Sequence, residues 1–233
     1  MTFFEGLHVV VTGGTGNLGS AVAARLLDQG ATVHIPAVED EVPVHFLLDT
    51  HPRVRVSTGI DLRDESAVEL WYASLPELWA SIHCAGGFEW RAAAESDGAL
   101  LERMVGINLV TAYHCSLAAV RRLVEDDGEG RIVNVASRQA LEPRLGSGTT
   151  AYTAAKAAVA AFTSALGQEV VDRGILVSAV APSILATDDN REAMPDADHG
   201  DWVALDEVAD VISFLASPAN RIARGIVPVY GRS

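Results

Sequence analysis

Short apolar runs alternate with longer segments of helical periodicity along almost the whole chain, and this alternation constrains the fold most strongly. Such a pattern is typical of β-α-β units around a parallel sheet that helices cover on both faces. We therefore predict an α/β fold with one doubly wound sheet of about seven parallel strands. The predicted strands are residues 7–12, 32–35, 54–57, 79–84, 131–136, 175–180 and 226–229, and the predicted helices are residues 18–29, 64–74, 101–124, 151–173 and 206–216.

Length and charge limit the classes of protein that this chain can represent. Its 233 residues suit one domain, so residues 1–233 are predicted to form a single unit. Acidic residues outnumber basic ones by 31 to 17, and a net charge of −14 argues against nucleic acid and anionic membranes as partners. The two cysteines lack the spacing of a metal site, so no metal is expected. No basic leader or spanning apolar stretch is present, which predicts a cytoplasmic protein.

A glycine-rich turn lies where the first predicted strand meets the first predicted helix. A tight turn of this kind lets the backbone and the following helix N-terminus approach a pyrophosphate, although such a turn also occurs without a ligand. The residues predicted to bind a dinucleotide here are Gly13, Gly16, Asn17, Leu18 and Gly19.

Two further strand ends carry small or acidic residues. Asp61 and Leu62 follow the third predicted strand, and Ala85 and Gly86 follow the fourth. The carboxyl ends of parallel strands share one edge of a sheet, where the adenine ring and ribose of a dinucleotide would lie. These four residues are therefore predicted to bind the cofactor.

Tyr152 and Lys156 stand four residues apart and share one face of the predicted helix 151–173. Apolar residues continue the same stripe, which places the lysine on the inward face. Burying an ammonium is costly, so Lys156 is predicted to face a polar cavity or a bound ligand. A nearby ammonium favours the ionised form of a phenol, which makes Tyr152 a candidate acid/base. Ser137, after the fifth strand, would hold the same substrate oxygen, although it also suits a helix or turn cap.

In their order and spacing these residues resemble the short-chain dehydrogenase/reductase family over essentially the whole chain. The resemblance rests on the glycine turn, Asp61-Leu62, Ala85-Gly86, Asn108, Ser137, Tyr152-x-x-x-Lys156, Pro182-Ser183 and Thr187. It implies a Rossmann-type fold that binds NAD or NADP, with Tyr152 as acid/base and Ser137 orienting the carbonyl. Lys156 would bind the nicotinamide ribose and tune Tyr152, and Asn108 would support a water-linked proton path. Pro182 and Thr187 would bind at the nicotinamide end, with Thr187 at the carboxamide.

The chain departs from the usual family motifs at three places, and one of them is Tyr230-Gly231, where the family usually has a closing Gly-Gly. Asn17 replaces the second glycine of the usual turn, Thr-Gly-x-x-x-Gly-x-Gly, although the spacing Gly-x-x-Gly-x-x-Gly of other branches is kept. Asparagine tolerates left-handed backbone angles, so the turn is expected to form. His83-Cys84 stands where the family usually has Asn-Asn. The region from Pro182 to Trp202 is also similar to that of dihydropteridine-reductase-like members.

The acidic residues 39–41 after the second strand would repel a 2′-phosphate, which favours NAD over NADP.

Residues 187–202 are predicted to form a mobile lid that closes over the nicotinamide and substrate, with Phe88 and Trp90 as candidates for the opposite wall. The alternative is a loop that packs in the same way in both states or contacts only a neighbouring subunit.

The leading functional hypothesis is an NAD(P)-dependent oxidoreductase that transfers hydride between the nicotinamide and a carbonyl or alcohol carbon of a small metabolite by a Ser-Tyr-Lys mechanism. The alternative is a non-catalytic dinucleotide-binding sensor or scaffold, which the variant turn at Asn17 would suit.

The alanine-rich surface of the helix 151–173 predicts a homodimer or homotetramer, since these helices pair across two-fold axes in the resembling family.

Overall fold

A computed structural model describes residues 2–126 and 128–232, so the predicted unit 1–233 includes three residues outside the described chain: Met1, Asp127 and Ser233. Seven parallel strands form one sheet in the order β3-β2-β1-β4-β5-β6-β7. This order confirms the predicted doubly wound sheet. The strands are β1 His8–Thr12, β2 Thr32–Pro36, β3 Val54–Ser57, β4 Ala80–His83, β5 Gly130–Val135, β6 Ile175–Pro182 and β7 Gly225–Val229.

Helices cover both faces of the sheet. They are α1 Asn17–Asp28, α2 Glu65–Ala73, α3 Gly98–Val105, α4 Thr111–Glu125, α5 Arg138–Leu141, α6 Thr150–Val170, α7 Asp188–Ala193 and α8 Leu205–Ala216. Within the described residues, no helix combines the length and the apolarity needed to cross a bilayer.

The strand periodicity of two divides the core between the two faces. Val9 and Val11 of β1 pack in the cluster that contains the apolar sides of α1 and α8. Val10 packs in the opposite cluster, with residues of α2, α4 and α6. Because successive side chains of a strand point to opposite faces, one apolar strand supports both layers.

The predicted helix 101–124 differs in detail from the structure. It begins earlier, because the Asp97 carboxylate accepts a hydrogen bond from the Leu100 amide at 2.8 Å and caps α3. A π-helical turn, Gly106–Val110, then separates α3 from α4. The predicted helix 151–173 ends as an α-helix at Val170, and a 3₁₀ turn continues it to Gly174 at a φ of +76°.

The β1–α1 and β4–α3 connections leave the sheet on either side of the point where its strand order reverses. β1 pairs with β2 on one side and with β4 on the other. In open α/β sheets such a reversal creates a crevice beyond the carboxyl ends of the strands, where ligands bind. The fold therefore places the glycine turn and the end of β4 side by side.

Candidate active site

A cleft of about 950 Å³ opens beyond the carboxyl ends of β1, β2, β3 and β4. It brings together all five predicted residues of the glycine turn and both predicted strand-end pairs. The predicted residues that line it are Gly13, Gly16, Asn17, Leu18, Gly19, Asp61, Leu62, Ala85 and Gly86.

Close backbone packing explains the glycines of the turn. Gly13 has a φ of +62°, and a Cβ atom there would lie 2.6 Å from the Ala85 amide nitrogen. A Cβ atom on Gly19 would overlap the carbonyl oxygen of Gly13. Side chains are thus excluded where the turn meets the N-terminus of α1, which leaves backbone amides at the cleft. This arrangement fits a pyrophosphate, because helix N-termini favour anions.

Asn17 is the first residue of α1, where helical backbone angles are ordinary for asparagine. The expected use of left-handed angles is therefore not needed at this position. Its side-chain amide donates a hydrogen bond to the Asp189 carboxylate at 3.2 Å. Asn17 thus connects the glycine turn with the segment 187–202.

The end of the cleft at Asp61 contains two arginines that the sequence analysis missed, Arg63 and Arg103. Arg63 donates two hydrogen bonds to the Asp61 carboxylate, at 3.0 and 2.8 Å, and its side chain holds the pKa of that carboxyl below its usual range. Glu39 and Arg103 also line this cleft. The sequence signal for Arg63 was its position, two residues after the predicted Asp61. A planar guanidinium at that distance readily pairs with a carboxylate.

Ser137, Tyr152 and Lys156 gather beside the cleft. Ser137 follows β5, and its buried hydroxyl has no partner at full hydrogen-bond geometry among the described residues, although it lies close enough to Tyr152 to affect the pKa of that phenol. Lys156 is buried, donates to the Val135 carbonyl at 2.7 Å, and lies 5.9 Å from the Tyr152 ring centroid. A buried hydroxyl without a well-formed hydrogen bond is costly, so its retention here suits a substrate oxygen as the missing partner.

Burial dominates the ionisation of the free site. It raises the pKa of Tyr152 above its usual range, and the Ser137 hydroxyl opposes this by a smaller amount. Burial also lowers the pKa of Lys156 to about 8, with the nearby Cys84 acting in the opposite direction. In the cofactor-free protein, desolvation of the phenolate therefore outweighs the stabilisation expected from the ammonium.

Asn108 lies in the π-helical turn and is 1% exposed. Its side chain accepts from the Gly87 amide at 3.2 Å and donates to the Gly87 and Met104 carbonyls at 3.0 Å each. A Cβ atom on Gly86 would lie 2.8 Å from the Asn108 side-chain oxygen and 3.4 Å from Lys156 Nζ. The π turn thus brings Asn108 and Lys156 together at the end of β4, and π turns are frequent at functional sites.

His83 hydrogen-bonds to Ser81 at 2.8 Å and to Asn134 at 2.7 Å inside the sheet. Burial lowers the pKa of His83 to about 4, so the ring is neutral near pH 7. This residue therefore ties β4 to β5 where the family usually has asparagine.

Pro182 and Thr187 lie outside the lining of the 950 Å³ cleft. Pro182 ends β6, and the Thr187 hydroxyl accepts from the Asn190 amide as the N-cap of α7. The segment 187–202 is more regular than the sequence indicates, since it contains α7 and a 3₁₀ turn, His199–Asp201. A bridge between Leu185 and Val203 joins its two ends.

Of the two candidate wall residues, Phe88 contacts Tyr152 and Trp90 contacts the turn before α6. The Phe88 ring meets the Tyr152 ring edge to face at a centroid distance of 5.1 Å. Trp90 packs closely against Gly148. A Cβ atom added to Gly148 would overlap the indole of Trp90. Both aromatic residues are exposed.

The fold and site define a Rossmann-type oxidoreductase, and comparison with known proteins identifies the family. The short chain dehydrogenase family model matches residues 7–198, and the chain belongs to that family. The chain is 28% identical to 3-oxoacyl-[acyl-carrier-protein] reductase FabG of Vibrio harveyi, with 92% of this chain and 91% of the relative covered. It is 30% identical to sulfoacetaldehyde reductase 2 of Chromohalobacter salexigens, with 91% and 89% covered.

A solved structure described as a short chain dehydrogenase/reductase family protein superposes with a TM-score of 0.87 at 28% identity, covering 99% of this chain and 97% of the other. These findings confirm the predicted family and enzyme class. The narrower similarity to dihydropteridine-reductase-like members stays a prediction.

Proposed function

We propose that this enzyme uses NAD(P) to interconvert a carbonyl compound and an alcohol among small metabolites, with Ser137, Tyr152 and Lys156 as its catalytic residues. The observation that carries the proposal is the buried Ser137 hydroxyl, without a well-formed hydrogen bond, beside a phenol and a buried ammonium. This set offers one hydrogen-bond donor and one proton donor to a single substrate oxygen.

Residues of the cleft would hold the dinucleotide. The glycine turn and α1 would bind the pyrophosphate, and Asp61, Leu62, Ala85 and Gly86 would surround the adenosine. Pro182 and Thr187 would bind the nicotinamide end. When bound, the nicotinamide supplies or takes up the hydride.

Tyr152 moves the proton at the substrate oxygen. In the reducing direction its hydroxyl gives a proton to the carbonyl oxygen, while Ser137 orients that oxygen. Lys156, as an ammonium, binds the ribose and favours the phenolate that remains. Asn108 orders the backbone beside Lys156 and supports proton supply through water.

The sensor hypothesis draws on Asn17 and on the Gly-x-x-Gly-x-x-Gly spacing of the turn, and the retained Ser137, Tyr152 and Lys156 count against it. Asn17 starts α1 and leaves the glycine packing of the turn intact. A protein that only senses a dinucleotide has no need for the acid/base group.

Turnover of a substrate panel tests the proposal. The panel contains quinones, pterins, ketosteroids and keto-esters, and nicotinamide absorbance reports the reaction. We expect at least one class to be reduced with NADH or NADPH. Tight dinucleotide binding without turnover of any panel member would instead favour the sensor.

We also propose that NAD is preferred over NADP. Glu39 lines the adenosine end of the cleft, and the Arg63 charge is already paired with Asp61. A 2′-phosphate there would meet the Glu39 carboxylate, and the two arginines that line the cleft, Arg63 and Arg103, are already paired with Asp61 and Glu89. Dissociation constants for NADH and NADPH test this, and Glu39→Gln should reduce the difference between them. Tighter binding of NADPH would contradict the preference.

A further inference from the structure

Residues 87–91, between β4 and α3, present alternating side chains to two different environments. Glu89 accepts hydrogen bonds from Arg91 and Arg103 at 2.5 Å each, and Arg103 belongs to α3. The Arg91 amide donates to the Gly148 carbonyl at 2.7 Å. These contacts fix the segment at both residues 89 and 91.

Of the intervening residues, Phe88 lies toward Tyr152 and Trp90 lies toward the turn that precedes α6. Phe88 contacts the Tyr152 ring, and Trp90 lies against Gly148, whose φ is +73°. Despite these contacts Phe88 stays 60% exposed and Trp90 64% exposed. We call this pair the aromatic wall.

Exposing two large aromatic side chains beside a catalytic phenol needs a physical reason. Large apolar side chains gain free energy when water leaves their surfaces, and clustered exposed ones mark binding surfaces. Because the ion pairs of Glu89 hold the segment, the rings are ordered before a ligand arrives. Such preorganisation lowers the entropic cost of binding.

The charges near the aromatic wall disfavour an anionic ligand. Arg91 is paired with Glu89, and Arg138 beside Ser137 is paired with Glu142 at 2.9 Å. The chain as a whole carries a charge of −14. An anionic thioester or phosphorylated substrate would thus be repelled at long range and would find Arg91 and Arg138 already paired.

We propose that the aromatic wall binds an uncharged substrate whose reacting carbonyl or carbinol carbon is attached to an aromatic ring. The substrate ring stacks on Phe88 and Trp90, and its oxygen lies at Ser137 and Tyr152. Ring pairs of this kind contribute beyond their buried area, which distinguishes an aryl ketone from a saturated one of equal size. This inference rests on the proposed function, because it assigns the substrate of the same site.

Steady-state kinetics with matched ketones tests the proposal. Acetophenone and cyclohexyl methyl ketone have similar size and differ in aromaticity, and acetoacetyl-CoA supplies the anionic comparison. We expect wild type to prefer acetophenone by about tenfold in kcat/KM, with acetoacetyl-CoA the poorest substrate. Phe88→Leu and Trp90→Leu should raise the KM for acetophenone with little change in kcat. Phe214→Leu, at an exposed phenylalanine of α8, should change neither.

A binding measurement separates this inference from the proposed function. Saturation-transfer NMR detects acetophenone on the protein without turnover, so it reports on the wall even if no ketone is reduced. The signal should be present in wild type and Phe214→Leu and weak in Trp90→Leu. Equal signals in all three proteins, a preference for the cyclohexyl ketone or for acetoacetyl-CoA, or conversion of a wild-type dimer to monomers by Trp90→Leu would overturn the proposal.

Discussion

Lys156 shows how a single residue depends on contacts from other parts of the fold. Its inward position follows from helical periodicity, which the sequence contains. Its hydrogen bond to the Val135 carbonyl comes from β5, and no local pattern specifies that partner. The ionisation of this lysine was therefore not predictable before the strands and helices were placed.

The depressed pKa of Lys156 predicts how cofactor affinity changes with pH. Burial sets this pKa at about 8, so the ammonium present at pH 7 is lost as the pH rises through that value. We expect the dissociation constant of NADH to increase between pH 7 and 9, because the neutral amine binds ribose hydroxyls less strongly. Titrations by nicotinamide fluorescence measure this. Lys156→Met should bind weakly at every pH, and a pH-independent affinity in wild type would contradict the assignment.

The positions of single residues in the cleft were predictable where a motif stands in the sequence and unpredictable where two distant residues meet. The predicted cleft residues from Gly13 to Gly86 lie together. The sequence analysis missed the bidentate ion pair of Arg63 with Asp61 and the side-chain hydrogen bond of Asn17 to Asp189. The second contact joins residues far apart in sequence, so only the folded chain specifies it.

At the scale of elements, the glycine turn gives a direct test of packing. Gly19→Ala places a methyl group onto the Gly13 carbonyl oxygen, whereas the same change at Gly16 gives an ordinary contact of 3.4 Å. We expect Gly19→Ala to lower the free energy of unfolding by about 1–3 kcal/mol, since overpacking forces the backbone to shift. Chemical denaturation of the cofactor-free protein measures this. Gly16→Ala is the control, and equal stability of the two variants would contradict the packing argument.

The segment 187–202 gives a second prediction at this scale. We expect it to open in the free enzyme and to close over the nicotinamide and substrate, because α7 contacts the glycine turn through only one described side-chain hydrogen bond, that between Asp189 and Asn17. Hydrogen exchange of these amides should slow when cofactor and an inhibitor are bound, while exchange in α8 stays unchanged. Unchanged protection of residues 187–202 would remove the lid role.

Element types followed from the sequence more reliably than their interruptions. The strands were predictable because fully buried parallel strands are apolar and β-branched. The π turn at Gly106–Val110 was not, since it keeps helical periodicity on both sides and depends on where Asn108 finds partners. The order within residues 187–202 likewise depends on capping by Thr187.

For the whole molecule, we predict self-association through α4 and α6. The outer side of α6 exposes alanines such as Ala154 and Ala161, and Tyr113 of α4 packs on Phe162 at 5.0 Å beside them. A smooth, weakly polar face of this kind suits a second copy. Light scattering at micromolar concentration should give the mass of a dimer or tetramer. Ala161→Glu should reduce that mass, whereas Ala73→Glu on α2 should not, and a monomeric wild type would contradict the prediction.

The topology of the whole molecule was predictable because parallel β-α-β units permit few arrangements. Substrate identity was not, since one fold and one acid/base group serve many metabolites. The relatives named above act on compounds as different as acyl carrier protein thioesters and sulfoacetaldehyde, according to their names.

The central claim, that Tyr152 is the acid/base of this oxidoreductase, is tested most directly by Tyr152→Phe. Its rate of NADH or NADPH oxidation with the best ketone substrate is compared with that of wild type, and the dinucleotide dissociation constant is measured for both proteins. We expect the rate to fall by at least about a hundredfold while the dissociation constant changes by less than about twofold, because the substitution removes only the transferable proton. A variant that keeps a rate close to wild type would contradict the account.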